Sequence, residues 1–181
     1  RMAGMVVRGR IDRIEYHEEL GYRVFDFKTF SPNGKSVVDF HVTPIRRTEN
    51  IEDFPEWSRV TNEANRLSRW TDLQLPLYRL ALEERFPGAR ISVGYVTLGP
   101  TEKEVDIHMW DRIEEKYLKS AEECAIGVIQ SIRSHRFWPP AERVPYPDAL
   151  DELFFGDPLE SVDPTELEQA RERHEKPLKL A

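Results

Sequence analysis

Cysteine is almost absent from this sequence: of 181 residues only Cys124 carries a thiol. A single thiol excludes an intrachain disulfide, and it excludes structural zinc or iron–sulfur sites that are built on several thiolates. Long apolar runs are also lacking, since none approaches the roughly 18 residues of a membrane-spanning helix, and no signal peptide is recognisable. We therefore expect a protein of the reducing cytoplasm that has no membrane partner.

The chain carries a net negative charge, and most of this excess lies in residues 141–181. The formal net charge is −7, and residues 141–181 carry eleven acidic against five basic side chains. The preceding part is therefore close to neutral. An acidic total does not favour non-specific binding of polyanions, but it leaves room for a local basic cleft. With 39% hydrophobic residues the chain can bury a substantial core. We predict one core domain over residues 1–140 and an acidic, proline-rich extension over residues 141–181.

Hydrophobic periodicity predicts an α/β fold with a mixed sheet, because the predicted strands and helices are interspersed along the chain but do not alternate strictly. Strands are predicted at residues 5–16, 22–29, 91–98 and 105–110, with a possible third strand at 36–42. Helices are predicted at residues 70–86 and 111–136, with short ones at 147–155 and 163–176. An inserted arm at about residues 41–70 is predicted to be irregular over 43–69.

Two helix patterns carry finer predictions. In the first helix Thr71 and Gln74 have the spacing of a capping box, while Pro76 leaves the true start uncertain. Trp70 and Leu75 are predicted to form the hydrophobic staple beside that box. The second helix is predicted to bury one stripe, which makes its cysteine an inert core residue: Ile113, Tyr117, Ala121, Cys124, Val128 and Ile132.

The stretch GRIDRIEYHEELGYRVFDFKTF places carboxylates inside two predicted strands, where charged residues are poor strand formers. A hairpin centred on Glu19 brings Asp12 opposite Asp26 and Arg10 opposite Lys28 on one face. The pairs Ile14/Val24 and Tyr16/Tyr22 share that face, and Arg13 points to the other. The facing carboxylates suit a hard divalent cation, or they form a structural ion cluster with Arg10 and Lys28. The residues alone leave both readings open.

Three motifs in order resemble the PD-(D/E)xK nucleases of the RecB/AddB type. They are Gly9 with Asp12, then Asp26-x-Lys28-Thr29, then a helix with Gln74 and Tyr78 at i and i+4. The resemblance covers about residues 6–82. It implies a restriction-endonuclease-like core, a mixed sheet flanked by helices. The N-terminal core helix of that family is expected to be missing from this chain.

The resemblance also implies a role for each motif residue. Asp12, Asp26 and the carbonyl of Phe27 would bind Mg²⁺ or Mn²⁺, and Lys28 would be the catalytic lysine. Gln74 and Tyr78 would border the active site and position DNA, together with Arg10 and Arg13. Without the resemblance, Gln74 reads as a capping residue and Tyr78 as a core aromatic. Three histidines have no ligand-like spacing and are predicted to be structural or exposed: His41, His108 and His135.

The implied function is a metal-dependent DNA nuclease domain, part of a larger recombination or repair helicase–nuclease. DNA and the other domains or subunits of that protein would be its partners. Some relatives hold an iron–sulfur cluster through four cysteines. No such cluster is expected here, because this chain has only one cysteine. The alternative is a catalytically incomplete module that serves DNA binding or subunit docking. We expect the chain by itself to bind metal weakly and to cleave little or not at all.

Overall fold

A four-stranded mixed sheet forms the centre of the first part of the chain. The computed structural model describes residues 1–29, 34–62, 64–110, 113–136, 163–166 and 168–169. The chain divides into two compact units, Arg1–Gln130 and Ser131–Ala181. The first unit also contains a three-stranded sheet, two helices and all but the last three residues of a third helix. The prediction of an α/β fold with a mixed sheet is therefore confirmed.

The regular elements follow one another in chain order. The strands are β1 (Arg13–His17), β2 (Gly21–Lys28), β3 (Val42–Pro44), β4 (Arg59–Thr61), β5 (Leu67–Trp70), β6 (Ile91–Leu98) and β7 (Val105–Trp110). The helices are α1 (Val38–His41), α2 (Gln74–Arg85) and α3 (Glu115–Arg133). Single 3-10 turns occur at Ile51–Asp53, Glu56–Ser58 and Glu102–Glu104.

The central sheet has the strand order β1-β2-β6-β7, in which only the β2–β6 pair is parallel. On one face Val24 and Val93 are fully buried, and they join Leu75 and Tyr117 in the hydrophobic core. The opposite face leaves apolar side chains between two-fifths and one-half exposed: Phe27, Leu98, Val105 and Ile107. The covered face is therefore the one that can desolvate a polar site.

The β1–β2 hairpin has the predicted register but is shorter than predicted. Ile14 pairs with Val24 and Tyr16 with Tyr22, which confirms a hairpin centred on Glu19. Gly21 begins β2 with a φ of +76°, and a Cβ there would lie 2.2 Å from the carbonyl oxygen of Arg90. Only glycine can take that position without moving the neighbouring backbone.

The prediction of a strand from residue 5 onward was wrong, because β1 begins at Arg13. Met2 and Met5 exchange backbone hydrogen bonds of 3.0 and 2.9 Å, so the chain forms a tight turn there. Val6 and Val7 are about half exposed and make no ladder. The apolar character of Val6 and Val7 suggested a strand, but no strand among the described residues pairs with them.

The predicted third strand at 36–42 is mostly helical. Asp39 accepts hydrogen bonds of 2.9 Å from both the backbone N–H and the hydroxyl of Ser36, which stabilises the turn that begins α1. This Ser-x-x-Asp spacing is close to that of a capping box. Only Val42, the last residue of the predicted segment, lies in a strand.

The inserted arm is ordered rather than irregular. It contains β3, β4 and β5, which form the second sheet in the order β3-β5-β4. The indole nitrogen of Trp70 donates to the Ser120 hydroxyl at 3.0 Å, so this sheet packs against α3. Trp57 lies over Gly127, where a Cβ would come within 2.2 Å of the indole. Strands of three or four residues give too little alternation to be recognised in sequence.

Helix α2 begins at Gln74, four residues later than predicted. The capping box and the staple were therefore wrong, since Trp70 belongs to β5 and Asp72, not Thr71, accepts the N–H of Gln74 at 2.6 Å. The late start explains Pro76, which falls in the first turn, where its missing N–H costs no intrahelical bond.

Helix α3 lies within the predicted segment but buries a different stripe at its C-terminal end. Tyr117, Ala121 and Cys124 are buried as predicted, whereas Val128 and Ile132 are about two-fifths exposed. Residues four apart are separated by more than one helical turn of 3.6 residues, so successive positions of the predicted stripe rotate away from the core. Ala125 and Ile129 are buried instead. Residues 164–166 and 168–169 are helical as predicted, and the segment 147–155 lies outside the described residues.

Candidate active site

Asp26 and Lys28 lie on the covered face of the central sheet, at the C-terminal end of β2. Asp26 is only 4% exposed, although its side chain is a carboxyl group. Its Oδ2 atom is 2.8 Å from Lys28 Nζ, and its Oδ1 atom accepts a hydrogen bond of 2.7 Å from Gln74 Nε2. A carboxylate this deeply buried requires such partners, because desolvation otherwise disfavours its charged form.

Gln74 joins the two charged groups. Its Oε1 atom accepts from Lys28 Nζ at 3.0 Å, and its Nε2 atom donates to Asp26. The orientation of the amide follows from chemistry, since the ammonium can only donate and the carboxylate can only accept. Gln74 occupies the first turn of α2, so the start of this helix sets the position of the amide.

Tyr78 extends the same network one helical turn further. Gln74 Nε2 lies 3.1 Å from the Tyr78 hydroxyl, which in turn donates to the carbonyl oxygen of Arg10. A Cβ on Gly9 would lie 3.2 Å from Tyr78 Cε1, so glycine lets the segment before β1 pass close to the ring. The structure thus brings together four of the predicted catalytic residues: Asp26, Lys28, Gln74 and Tyr78.

Asp12 reaches the site in a different way from the one predicted. The ladder between β1 and β2 ends at Arg13 and Phe25, so Asp12 precedes β1 and has no partner in the ladder. Its Oδ2 atom instead accepts the backbone N–H of Phe27 at 3.0 Å. In an antiparallel ladder the N–H and C=O of one residue point to the same neighbour. The Phe27 carbonyl therefore opens on the side where Asp12 lies.

The two arginines predicted to bind nucleic acid differ in position. Arg10 has an exposed side chain beside the site, and its backbone receives the Tyr78 hydroxyl. Arg13 pairs in the ladder with Phe25, so it lies on the opposite face from Asp26, as the register predicted. There it forms an ion pair with Glu15 at 2.6 Å and lines a groove of about 230 Å³ with Arg23 and Phe27.

Two residues to which the sequence assigned no role in the site, Tyr95 and His41, lie under Lys28. The Lys28 ammonium is 5.3 Å from the centre of the Tyr95 ring, and the Tyr95 hydroxyl is 2.8 Å from His41 Nε2. His41 is fully buried, and its Nδ1 atom is 3.0 Å from the carbonyl oxygen of Asp72. Sequence reasoning placed His41 only among structural or exposed histidines, since nothing local links it to Tyr95 in a distant strand.

Burial is the largest cause of the pKa shifts of the two residues under Lys28. It lowers the pKa of His41, an effect that Lys28 reinforces and that Asp72 opposes. Burial likewise raises the pKa of Tyr95, helped by the negative charges of Asp72 and Asp26. His41 and Tyr95 are therefore both neutral near pH 7. Away from the site, burial raises the pKa of Cys124 to about 11, which fits the predicted inert thiol.

The oxygen atoms at this site fit a hard divalent cation in part. Asp26 Oδ2 is buried and accepts no well-directed hydrogen bond, because Lys28 Nζ is close to it but off the hydrogen-bonding direction. Asp12 is bonded to the N–H of Phe27, the residue that follows Asp26, and Mg²⁺ needs only one or two carboxylates when water completes its shell. Within the described residues, no three His, Cys, Asp or Glu side chains converge on one point.

Comparison of the chain with family models, with curated proteins and with solved structures finds no match. Across the described part of the chain, no helix is both long and apolar enough to cross a membrane. The site must therefore be interpreted from its own geometry.

Proposed function

We propose that this chain is the nuclease domain of a metal-dependent deoxyribonuclease, with a restriction-endonuclease-like core of the PD-(D/E)xK type. The observation that carries the proposal is the network of Asp26, Lys28, Gln74 and Tyr78, with Asp12 bonded to the backbone N–H of Phe27, the residue between Asp26 and Lys28. Gln74 and Tyr78 lie more than 45 residues after Asp26 and Lys28 in sequence, yet these polar side chains meet at one end of the covered sheet face. Solvated surface charges would not be expected to form such a network.

Each residue has a definite task in the proposed hydrolysis of a phosphodiester bond. Asp12, Asp26 and the Phe27 carbonyl would hold Mg²⁺ or Mn²⁺, which polarises the phosphate and lowers the pKa of a bound water. Lys28 orients the attacking water or stabilises the charge that develops on the phosphate. Gln74 keeps the ammonium beside Asp26, and Tyr78 fixes Gln74 against the backbone of Arg10.

The test is cleavage of labelled single- and double-stranded DNA by the full-length natural protein with Mg²⁺ or Mn²⁺. We expect Asp26→Asn and Lys28→Met each to reduce kcat by a factor of about 100 or more, as loss of one catalytic group commonly does. The matched controls are Asp53→Asn and Lys119→Met, both exposed and both outside β2 and α2. Unchanged cleavage in the two site variants would refute the proposal.

The second candidate is a catalytically incomplete module that binds DNA or docks to a partner subunit. It is favoured by two observations: among the described residues no three His, Cys, Asp or Glu side chains converge on one point, and the lysine is already engaged by Asp26 and Gln74. Calorimetric titration of the full-length natural protein with Mn²⁺ separates the two candidates. Binding that Asp26→Asn abolishes supports the nuclease, and absence of binding supports the module.

A further inference from the structure

We propose that His41 and Tyr95 act as one buried hydrogen-bonded unit that positions Lys28 and Gln74, a role that rests on the nuclease function proposed above. Neither residue is part of the three motifs. Tyr95 pairs with Asp26 in the sheet, and His41 is hydrogen-bonded to the loop that precedes α2. We call this unit the His41–Tyr95 pair.

The hydrogen-bonding pattern of the His41–Tyr95 pair has only one solution. His41 Nδ1 faces the carbonyl oxygen of Asp72 at 3.0 Å, and a carbonyl can only accept. Nδ1 therefore carries the proton, and Nε2 of the neutral ring is an acceptor. The Tyr95 hydroxyl, 2.8 Å away, must then donate to Nε2. A second proton on His41 would leave the hydroxyl hydrogen without this acceptor, which agrees with the lowered pKa of the buried ring.

Tyr95 supports Lys28 through the face of its ring. Tyr95 is the partner of Asp26 in the parallel β2–β6 ladder, so its ring lies beside the carboxylate. The Lys28 ammonium lies 5.3 Å from the ring centre, within the range of a cation–π contact. His41 stacks nearly parallel to that ring at 5.7 Å between centres, and Phe40 meets it edge-on. The ring is therefore held by its neighbours and by its hydroxyl.

His41 also holds Gln74 in place, through hydrogen bonds to the loop that precedes α2. Its backbone carbonyl accepts the N–H of Thr71 at 2.9 Å and the N–H of Asp72 at 3.3 Å. The Asp72 carboxylate in turn accepts the N–H of Gln74 at 2.6 Å. The loop that begins α2 is thus attached to His41 through both backbone and ring. A change at His41 should consequently move Lys28 and Gln74 together.

The test compares Tyr95→Phe and His41→Asn with the wild type. Tyr95→Phe keeps the ring and removes only the hydroxyl, and His41→Asn keeps a donor near the Asp72 carbonyl but loses the acceptor for Tyr95. We expect kcat to fall about tenfold while KM for DNA stays within about twofold, since a small misplacement of a catalytic group affects the chemical step more than binding. Tyr22→Phe is the matched control, because Tyr22 packs on Phe86 at the other end of β2.

A readout that needs no activity is the NMR signal of the Gln74 side-chain NH₂ group, assigned with Gln74→Glu. We expect Tyr95→Phe and His41→Asn to shift this signal in the metal-free protein, whereas Tyr22→Phe leaves it in place. If both site variants keep the wild-type signal and kcat, the positioning role is refuted while the nuclease function stands. If the wild type does not cleave, the proposed function fails, and the NMR comparison alone then decides whether the pair positions Gln74.

Discussion

At the scale of single residues, the buried ring of His41 makes stability depend on pH. The groups that face it are Asp72, Tyr95, Lys28 and Asp26. Its pKa is lower in the folded protein than in the unfolded chain, so the unfolded chain binds the proton more readily. The stabilisation by the neutral ring is therefore complete above the unfolded value of about 6.5 and is lost as the pH falls below it.

We therefore expect the free energy of unfolding to decrease below pH 6.5, by at most about 1.4 kcal/mol for each pH unit from this one group. Urea unfolding between pH 5 and pH 8 measures it. His41→Asn should remove this part of the pH dependence, whereas His17→Asn, at an exposed hairpin position, should retain it. Identical pH profiles for His41→Asn and the wild type would contradict the assignment.

At the scale of elements, the contact between Trp57 and Gly127 joins the arm to α3. Glycine inside a helix normally costs about 1 kcal/mol relative to alanine, so Gly127→Ala would stabilise an isolated helix. Here the added Cβ would lie 2.2 Å from Cδ2 of the indole, which is a rigid ring rather than a flexible side-chain end. The overlap should outweigh the gain in helix propensity.

We expect Gly127→Ala to lower the free energy of unfolding by about 1–3 kcal/mol, the usual range for an overpacked core position. Urea unfolding followed by circular dichroism measures the change, and Gln130→Ala on the same helix is the control. Adding Trp57→Leu should recover part of the loss in the double variant. A Gly127→Ala protein as stable as its control would show that the indole moves away freely.

The elements also show why the sequence predicted some features and not others. Strands β6 and β7 and the register of the hairpin follow from local alternation and a glycine turn, and all were predicted correctly. The second sheet was missed because its strands are too short to show a period. Asp26, Lys28, Gln74 and Tyr78 were singled out in sequence because their three motifs resemble those of a nuclease family. Tyr95 and His41 were not, because their contacts depend on the parallel β2–β6 register, which no local pattern encodes.

At the scale of the whole molecule, charge constrains how the protein could bind DNA. The part before residue 141 is close to neutral, so affinity would depend on a few local cations rather than on a general field. Arg10 is the exposed arginine whose backbone belongs to the site network. Arg90 is equally exposed but directly precedes β6, at the opposite end of the sheet. These two residues therefore form a matched pair for a binding experiment.

We expect Arg10→Ala to weaken binding of a short single-stranded DNA and to reduce the slope of log K against log salt by about one unit, the loss of one phosphate contact. Arg90→Ala should change neither quantity. Fluorescence anisotropy at several salt concentrations, with Ca²⁺ in place of Mg²⁺ to suppress cleavage, measures both. Equal slopes for the two variants would exclude Arg10 from the binding surface.

The parallel pairing of β2 with β6 has a consequence for how the protein folds. The β1–β2 hairpin is local and can form early, but β6 follows only after the second sheet and α2. Closing so long a loop is slow, because its entropy is lost before the pairing contributes. We therefore expect Asp26 and Tyr95 to become neighbours late and the charged cluster to be among the last parts of the fold to assemble. A fluorescent or NMR probe at Lys28 would thus report completion of folding rather than its first events.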